Sequence, residues 1–125
     1  MSLILITHDL GVVAETAQSV AVMYAGRVME YTDVLTLFRE PMHPYTRGLL
    51  HSIPMAEHGA KRKERLTGIP GQVPSLLGLP LGCRFQVRCS SHLDRCMKEE
   101  PGLTEPEPGH RVRCWKVTEG HGLHE

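Results

Sequence analysis

The stretch SVAVMYAGRVMEY (residues 19–31) sets the fold of the first half of the chain. VAVMY is a continuous apolar run of the kind that buried β-strands use, and RVMEY returns after Ala25 and Gly26. Because Gly26 suits a tight turn, the two runs are expected to pair with each other. We therefore predict a β-hairpin over residues 19–31.

Short elements surround this hairpin. LILI (residues 3–6) is a second candidate for a buried strand. Apolar spacing, capping residues and a proline in a first turn predict three short helices. These are DLGVVAETA (residues 9–17) capped by Thr7, TDVLTLF (residues 32–38) capped by Thr32, and HPYTRGLLHSI (residues 43–53) with Pro44 in its first turn.

The second half has a different character. TGIPGQVPSLLGLPLG (residues 67–82) holds three prolines and four glycines, which predicts an ordered loop whose leucines pack against the rest of the chain. SSHLDRCMKEE is predicted to form a short helix capped by Ser90 or Ser91, and HRVRCWKV (residues 110–117) a final strand. We predict an α+β fragment with short strands, a β-hairpin and small helices, followed by a loop-rich, cysteine-containing extension.

Composition limits the function. The 125 residues carry a formal net charge of zero at pH 7 and are 41% hydrophobic, which gives no strongly basic surface for nucleic acid. No apolar run approaches the ~18–20 residues that span a bilayer, and MSLILITHD lacks the basic start of a signal peptide. We therefore expect a cytoplasmic protein, in which cysteines serve as ligands more often than as disulfides.

The four cysteines follow the spacing C-x5-C-x6-C-x17-C and are Cys83, Cys89, Cys96 and Cys114. This spacing is wider than the pairs typical of structural zinc sites, whereas four thiolates match the ligand count of a [4Fe–4S] cluster. Each cysteine adjoins an arginine, and such cations would stabilise a negatively charged cluster. A zinc ion, disulfides in any of three connectivities and unligated thiols are the alternatives that stay open.

Several motifs, taken in order, resemble one known family. LILITHDLGVVAETAQSVAVMYAGRVMEY looks like the end of the nucleotide-binding domain of an ATP-binding-cassette transporter. PMHPYTRGLLHSIP, IPGQVPSLLGLPLGCRF and GHRVRC are similar to the C-terminal extension of the oligopeptide and dipeptide importer ATPases. The resemblance implies that residues 1–55 are the incomplete end of that domain, residues 56–117 the extension and residues 118–125 a disordered tail.

The resemblance also implies roles for individual residues. THD matches the switch histidine of the family, so His8 would contact the γ-phosphate of ATP and help to orient the attacking water. The four cysteines fall where the family carries a motif associated with a [4Fe–4S] cluster, with zinc as the alternative. We interpret the signature residues His43, Pro44 and Tyr45 as a helix start and a packing element.

Other parts of the family's machinery are missing from this sequence. It contains no G-x-x-x-x-G-K-[ST] phosphate cradle, no SGGQ-type signature and no acidic strand end to hold Mg²⁺. Because phosphoryl transfer depends on positioning by those parts, we expect ATP and Mg²⁺ to bind only the full-length protein. The intact ATPase would power import of oligopeptides or dipeptides, with nickel or glycosides as alternative substrates.

The family further implies partners and a location. The intact subunit would work with transmembrane permease subunits and a second ATPase subunit on the inner face of the cell membrane. In the fragment, LILI and VAVMY belong to a sheet whose other strands are missing, and unpaired edges favour pairing with another copy. We therefore expect the fragment to form a homodimer and to have no nucleic-acid partner.

Two other functions stay open on the residues alone. One is a stand-alone four-cysteine module that binds a metal or an iron–sulfur cluster and mediates an interaction, and in which His8 has no catalytic role. The other is a small redox enzyme with a reactive thiol pair. This last function is disfavoured because the chain contains no C-x-x-C motif.

Overall fold

The computed structural model describes residues 2–52, 72–90 and 92–118. The chain is an α+β fragment, as predicted. Its elements are α1 (Leu10–Thr16), β1 (Ser19–Tyr24), β2 (Arg27–Asp33), α2 (Val34–Arg39), α3 (Pro44–His51), β3 (Thr104–Glu107), β4 (His110–Val112) and α4 (Trp115–Thr118), with single 3-10 turns at Gln86–Arg88 and Asp94–Met97. Apart from Thr118, the predicted tail lies outside the described residues.

The predicted hairpin is confirmed, with β1 and β2 paired in antiparallel register. Ala25 and Gly26 form the turn at φ angles of 49° and 84°. Positive φ at both positions of a two-residue loop is the geometry that matches the twist of the flanking strands. Every second residue of β1 is buried, starting at Val20, so one face of the hairpin packs into the core.

The sheet joins the two halves of the chain. Its strand order is β1-β2-β4-β3 and all of its pairings are antiparallel. Glu30 pairs with Val112 and Tyr31 with Arg111. The residues after Gly71 therefore contribute the two strands on one side of the hairpin.

The final strand is shorter than predicted. It ends at Val112, and α4 begins three residues later. Arg113 N–H still donates to the Met29 carbonyl, after which Thr118 N–H donates to the Cys114 carbonyl and the backbone turns helical. β3 was not predicted because TEPE contains a proline, which argues against a strand. Sheets do accept a proline at an edge strand, and β3 is one.

The three helices predicted in the first half are present, but two begin with a different cap. Asp9, rather than Thr7, accepts hydrogen bonds from the first N–H groups of α1. Asp33, rather than Thr32, caps α2, since Thr32 is buried in β2. A carboxylate at the N-cap also interacts favourably with the helix dipole. α3 starts as predicted, with His43 as its N-cap and Pro44 in its first turn.

Three other predictions were wrong. LILI forms no strand, and Ile6 is 93% exposed, because the described residues offer this segment no neighbouring strand. The loop leucines do not pack as expected, since Leu77 is 99% exposed. The helix predicted from Ser90 is reduced to the single 3-10 turn Asp94–Met97. The Cys96 carbonyl, which would accept a hydrogen bond within a longer helix, accepts one from Cys83 N–H instead.

The core consists of two apolar clusters. One contains Tyr24, Met29, Cys83, Phe85 and Cys96, so the cysteine-containing loop packs directly on the hairpin. The other lies between α2 and the same face of β1 and is centred on Leu37. Glu30 and His110 are buried polar residues that join β2 to β4 by a side-chain hydrogen bond.

Candidate functional site

Three of the four cysteines lie on one loop that is closed by its own main chain. The Cys83 N–H donates to the Cys96 carbonyl over 2.8 Å. Gly82 makes this approach possible, because a Cβ atom there would overlap the Cys96 carbonyl oxygen and φ is +80°. Leu93 N–H donates to the Cys96 Sγ over 3.3 Å. The loop is therefore an ordered hairpin-like turn that presents Cys89 near its middle.

The sheet brings Cys114 to the same place. Cys114 follows β4 and precedes α4, and all four cysteines line one cavity that opens to solvent. Cys83, Cys96 and Cys114 are buried, Cys89 is partly exposed, and all four are free thiols. The predicted site residues of the extension are thus brought together.

Other side chains complete the wall of this cavity: His43, Pro44, Phe85, Gln86, His92, Trp115 and Lys116. Most of its surface is apolar, and burial raises the pKa of the Cys83 thiol to about 12. Burial also raises the pKa of Cys114, although the nearby Lys116 ammonium and main-chain N–H groups oppose the rise. Both thiols are therefore protonated at neutral pH, and a metal that binds them must displace protons.

The donor chemistry fits a [4Fe–4S] cluster, since four cysteine sulfurs around one cavity are the ligand set that such clusters use. Among residues 2–52, 72–90 and 92–118, no three His, Cys, Asp or Glu side chains are arranged to hold a single metal ion. The residues that would hold the cluster are the four cysteines.

Two of the arginines beside the cysteines bind main-chain carbonyl groups. Arg84 Nη1 donates to the Ala25 carbonyl at the hairpin turn. Arg113 Nε donates to the Val28 carbonyl over 2.8 Å, and its Nη1 donates to the Pro101 carbonyl over 3.2 Å. These contacts explain the positions of both guanidinium groups without a cofactor.

The other two arginines lie against aromatic rings. Arg88 donates to the Tyr24 hydroxyl over 3.3 Å, and the Arg95 guanidinium carbon is 3.6 Å from the centre of the Trp115 ring. Cation–π contacts of this kind stabilise a fold by themselves. The arginine pattern in the sequence therefore has a structural explanation that does not require a negatively charged cluster.

His43 was predicted to be a packing residue, and it is one. It is 1% exposed and its Nδ1 accepts a hydrogen bond from Tyr45 N–H over 3.0 Å, so a neutral ring carries its proton on Nε2. Burial lowers the pKa of His43 to about 3, although the nearby Arg113 main chain partly opposes the shift.

His8 lies apart from the cysteines. It is exposed, immediately precedes the Asp9 cap of α1, and does not contribute to the wall of the cysteine cavity. Its proposed contact with a nucleotide stays a prediction.

Comparison with known proteins identifies the family of the chain. The family described as "Oligopeptide/dipeptide transporter, C-terminal region" matches residues 29–96, which is more than half of the chain. The chain belongs to this family. The resemblance inferred from the sequence motifs is thereby confirmed.

The proteins that resemble this chain are considerably longer than it is. A probable peptide ABC transporter ATP-binding protein of Sinorhizobium fredii is 51% identical over 114 residues, or 91% of this chain and 33% of that protein. The oligopeptide transport ATP-binding protein AppD of Bacillus subtilis is 48% identical over 94% of this chain and 35% of its own length. The dipeptide transport ATP-binding protein DppD of Escherichia coli is 46% identical over 91% and 34%.

The chain thus spans about a third of the length of the curated relatives it matches. No helix in the described residues of this chain is both long enough and apolar enough to cross a membrane.

Proposed function

We propose that the chain is the C-terminal part of the ATPase subunit that powers ATP-dependent import of oligopeptides or dipeptides. Family membership supports this, together with relatives that are named as ATP-binding proteins of peptide transport. The intact subunit works with transmembrane permease subunits and a second ATPase subunit in the cytoplasm, at the inner face of the membrane. A stand-alone cysteine module is disfavoured by the same matches.

In this proposal His8 acts only in the intact ATPase, and the fragment neither binds nor hydrolyses ATP. The sequence lacks the phosphate cradle, and one exposed histidine supplies a single contact of the many that phosphoryl transfer needs. ATP turnover is the test. We expect none from the 125-residue chain, and a large loss of kcat in the full-length protein carrying His8→Ala. Turnover by the fragment, or an unchanged kcat in the variant, would overturn this part.

The four cysteines hold a [4Fe–4S] cluster in the same proposal. The single observation that supports it best is that the four free thiols, separated by up to thirty-one positions in the sequence, line one cavity. Such a cluster supplies a covalent cross-link and one-electron redox chemistry when bound. Zinc is the alternative ion, but the four sulfurs would have to move closer together to bind it, because no three of the described side chains are arranged to hold a single ion.

The role that we assign to the site is structural. Three ligands come from the loop and the fourth from the segment after β4, so ligation ties the loop to the sheet. The apolar cluster beneath this loop holds five buried residues, two of them cysteines. A core this small gains stability from a cross-link, and the free energy of binding a structural metal is also folding free energy.

Metal content of the chain purified without oxygen tests this proposal. We expect about four irons and four acid-labile sulfides per chain, and their loss in Cys89→Ser. Ser90→Ala is the matched control, because Ser90 is the exposed neighbour of Cys89 on the same loop and should leave the metal content unchanged. One zinc per chain would replace the cluster by a structural zinc site, and no metal in any preparation would overturn the ligand assignment.

The fragment forms a homodimer through its unpaired apolar N-terminal segment. Leu3, Ile4 and Ile6 are each more than 80% exposed, and exposed apolar segments favour association. Light scattering coupled to size exclusion should give twice the 14.0 kDa chain mass. The double variant Ile4→Lys with Ile6→Lys should give a monomer. A wild-type monomer would overturn the dimer.

A further inference from the structure

Cys83 and Cys96 are held side by side by the main chain. The Cys83 N–H donates to the Cys96 carbonyl over 2.8 Å. This bond brings the two backbones into direct contact, which a disulfide between their side chains requires. Gly82 lets the two backbones approach this closely, since a Cβ atom there would overlap the Cys96 carbonyl oxygen.

The two side chains also face the same space. Cys83 and Cys96 both line the cavity and are 7% and 6% exposed. Cys114 reaches the same cavity from a different part of the chain, the segment between β4 and α4. Cys89 lies beyond the 3-10 turn Gln86–Arg88 and is the more exposed thiol.

We propose that in the metal-free chain Cys83 and Cys96 form a disulfide in preference to the other five pairs that four cysteines allow. This pairing resolves the connectivity that spacing alone leaves undecided. The disulfide does not require a cluster to exist, whereas its effect on metal loading rests on the proposed function.

The oxidant is a small-molecule disulfide, such as oxidised glutathione. The sulfur of one cysteine, after losing its proton, attacks one sulfur of the oxidant; a mixed disulfide forms and the other half leaves as a thiol, taking up that proton. The sulfur of the second cysteine then attacks the protein sulfur of the mixed disulfide, and the second small thiol leaves. Two electrons and two protons pass in total from the cysteine pair to the oxidant.

The pairing has a consequence for the site. A Cys83–Cys96 bond removes two of the four thiols that could bind a metal, and it closes the loop that presents Cys89. The oxidised chain is therefore unable to take up a four-cysteine metal centre until a reductant restores both thiols. Metal loading and this disulfide are alternative states of the same pair.

Peptide mapping tests the pairing. The metal-free, reduced chain is treated with oxidised glutathione at neutral pH, the remaining thiols are alkylated, and trypsin is added. Cleavage after Arg84, Arg88, Arg95 and Lys98 places Cys83, Cys89 and Cys96 on separate peptides, and cleavage after Arg113 separates Cys114. We expect the peptide of Cys83 joined to Cys96–Lys98 to be the major cross-linked product.

A denatured sample of the same chain is the control. In an unfolded chain, closing a loop twice as long is about threefold less favourable, so the Cys83–Cys89 and Cys89–Cys96 pairs should each exceed the Cys83–Cys96 pair. The native sample should reverse that order. A different major pair in the native sample, the same distribution in both samples, or no intramolecular disulfide would each overturn the proposal.

Variants and reconstitution complete the test. Cys96→Ser should remove the major product, whereas Cys89→Ser should retain it. If the reduced chain takes up no iron or zinc, the proposed metal site fails while the disulfide result stands. If reduced chain takes up metal and the Cys83–Cys96 chain takes up as much, the claimed exclusion between the two states is overturned.

Discussion

The Oε2 atom of Glu30 lies 2.5 Å from the Nε2 atom of His110, although eighty positions separate the two residues in the sequence. The N–H groups of Met42 and His43 donate to the same carboxylate over 2.8 and 3.0 Å. One buried side chain thus connects β2, the segment before α3 and β4. All three of these donors depend on it for a partner.

Replacing Glu30 should destabilise the whole fragment. In Glu30→Gln the amide keeps one acceptor oxygen and gains two donors, so at least one buried donor loses its partner. We expect the free energy of unfolding to fall by about 3 kcal/mol, measured by urea denaturation. Glu107→Gln, at an exposed position of β3, should change it by less than about 0.5 kcal/mol. Equal effects of the two substitutions would contradict the role of Glu30.

Gly82→Ala should open the cysteine loop. The new Cβ atom would overlap the Cys96 carbonyl oxygen at a φ of +80°, so both backbone strain and overlap act. We expect a loss of more than about 2 kcal/mol in the free energy of unfolding, together with faster alkylation of Cys83.

Gly109→Ala separates these two causes. Gly109 also has a positive φ, at +77°, but nothing lies within 4 Å of the position that its new Cβ atom would take, so only the strain of about 1 kcal/mol should appear. Gly78→Ala has open space and should be close to neutral. If Gly82→Ala and Gly109→Ala cost the same, the close approach to Cys96 is not rigid.

Stability should fall as the pH drops below 6.5 because of His43. Its pKa is lowered from 6.5 to about 3 by burial, so between these values the unfolded chain binds a proton that the folded chain does not. The free energy of unfolding therefore decreases toward low pH in this window. From pH 7 to pH 5 the histidine contributes a loss of about 2 kcal/mol.

His43→Asn isolates this contribution, since asparagine can still cap α3. The variant should lose less stability than the wild type between pH 7 and pH 5, as followed by urea denaturation. His51→Asn, at the exposed end of the same helix, should retain the wild-type pH dependence. If the free energy of unfolding fell equally with pH in the wild type and in His43→Asn, His43 would have to be protonated in the folded chain.

Arg113→Lys keeps the positive charge but removes the guanidinium group, whose two nitrogen atoms donate to two carbonyl groups. If the arginine acted only as a counter-charge, the substitution would be neutral. We expect instead a loss of about 1–2 kcal/mol in the free energy of unfolding. Arg111→Lys is the matched control because Arg111 forms an exposed ion pair with Glu105, and it should change stability by less than about 0.5 kcal/mol.

The hairpin and the start of α3 could be predicted because their signals are local. Gly26 and the apolar residues on either side of it specify the turn and the buried face together. Pro44 lacks an N–H group at a position where the helix does not need one, and His43 caps the helix beside it. Such elements need no information from distant parts of the chain.

The contacts that hold the cysteine site together are not local, so the sequence alone did not reveal them. The pairing of β4 with β2 joins segments eighty residues apart, and no periodic pattern marks so short a strand. Glu30 stands in a strand where a charged residue suggests exposure, and only its three donors make burial favourable. LILI failed for the opposite reason, because a buried strand needs neighbours that these residues do not supply.

The position of β4 between β2 and β3 limits how the extension could be exchanged between relatives. A chimera with its crossover after residue 55 would take β4 and His110 from one parent and β2 and Glu30 from the other. The hybrid sheet would then depend on whether the two parents match at those two positions. A crossover placed before Ser19 moves the hairpin and the extension as one piece, and it is the better choice for a graft.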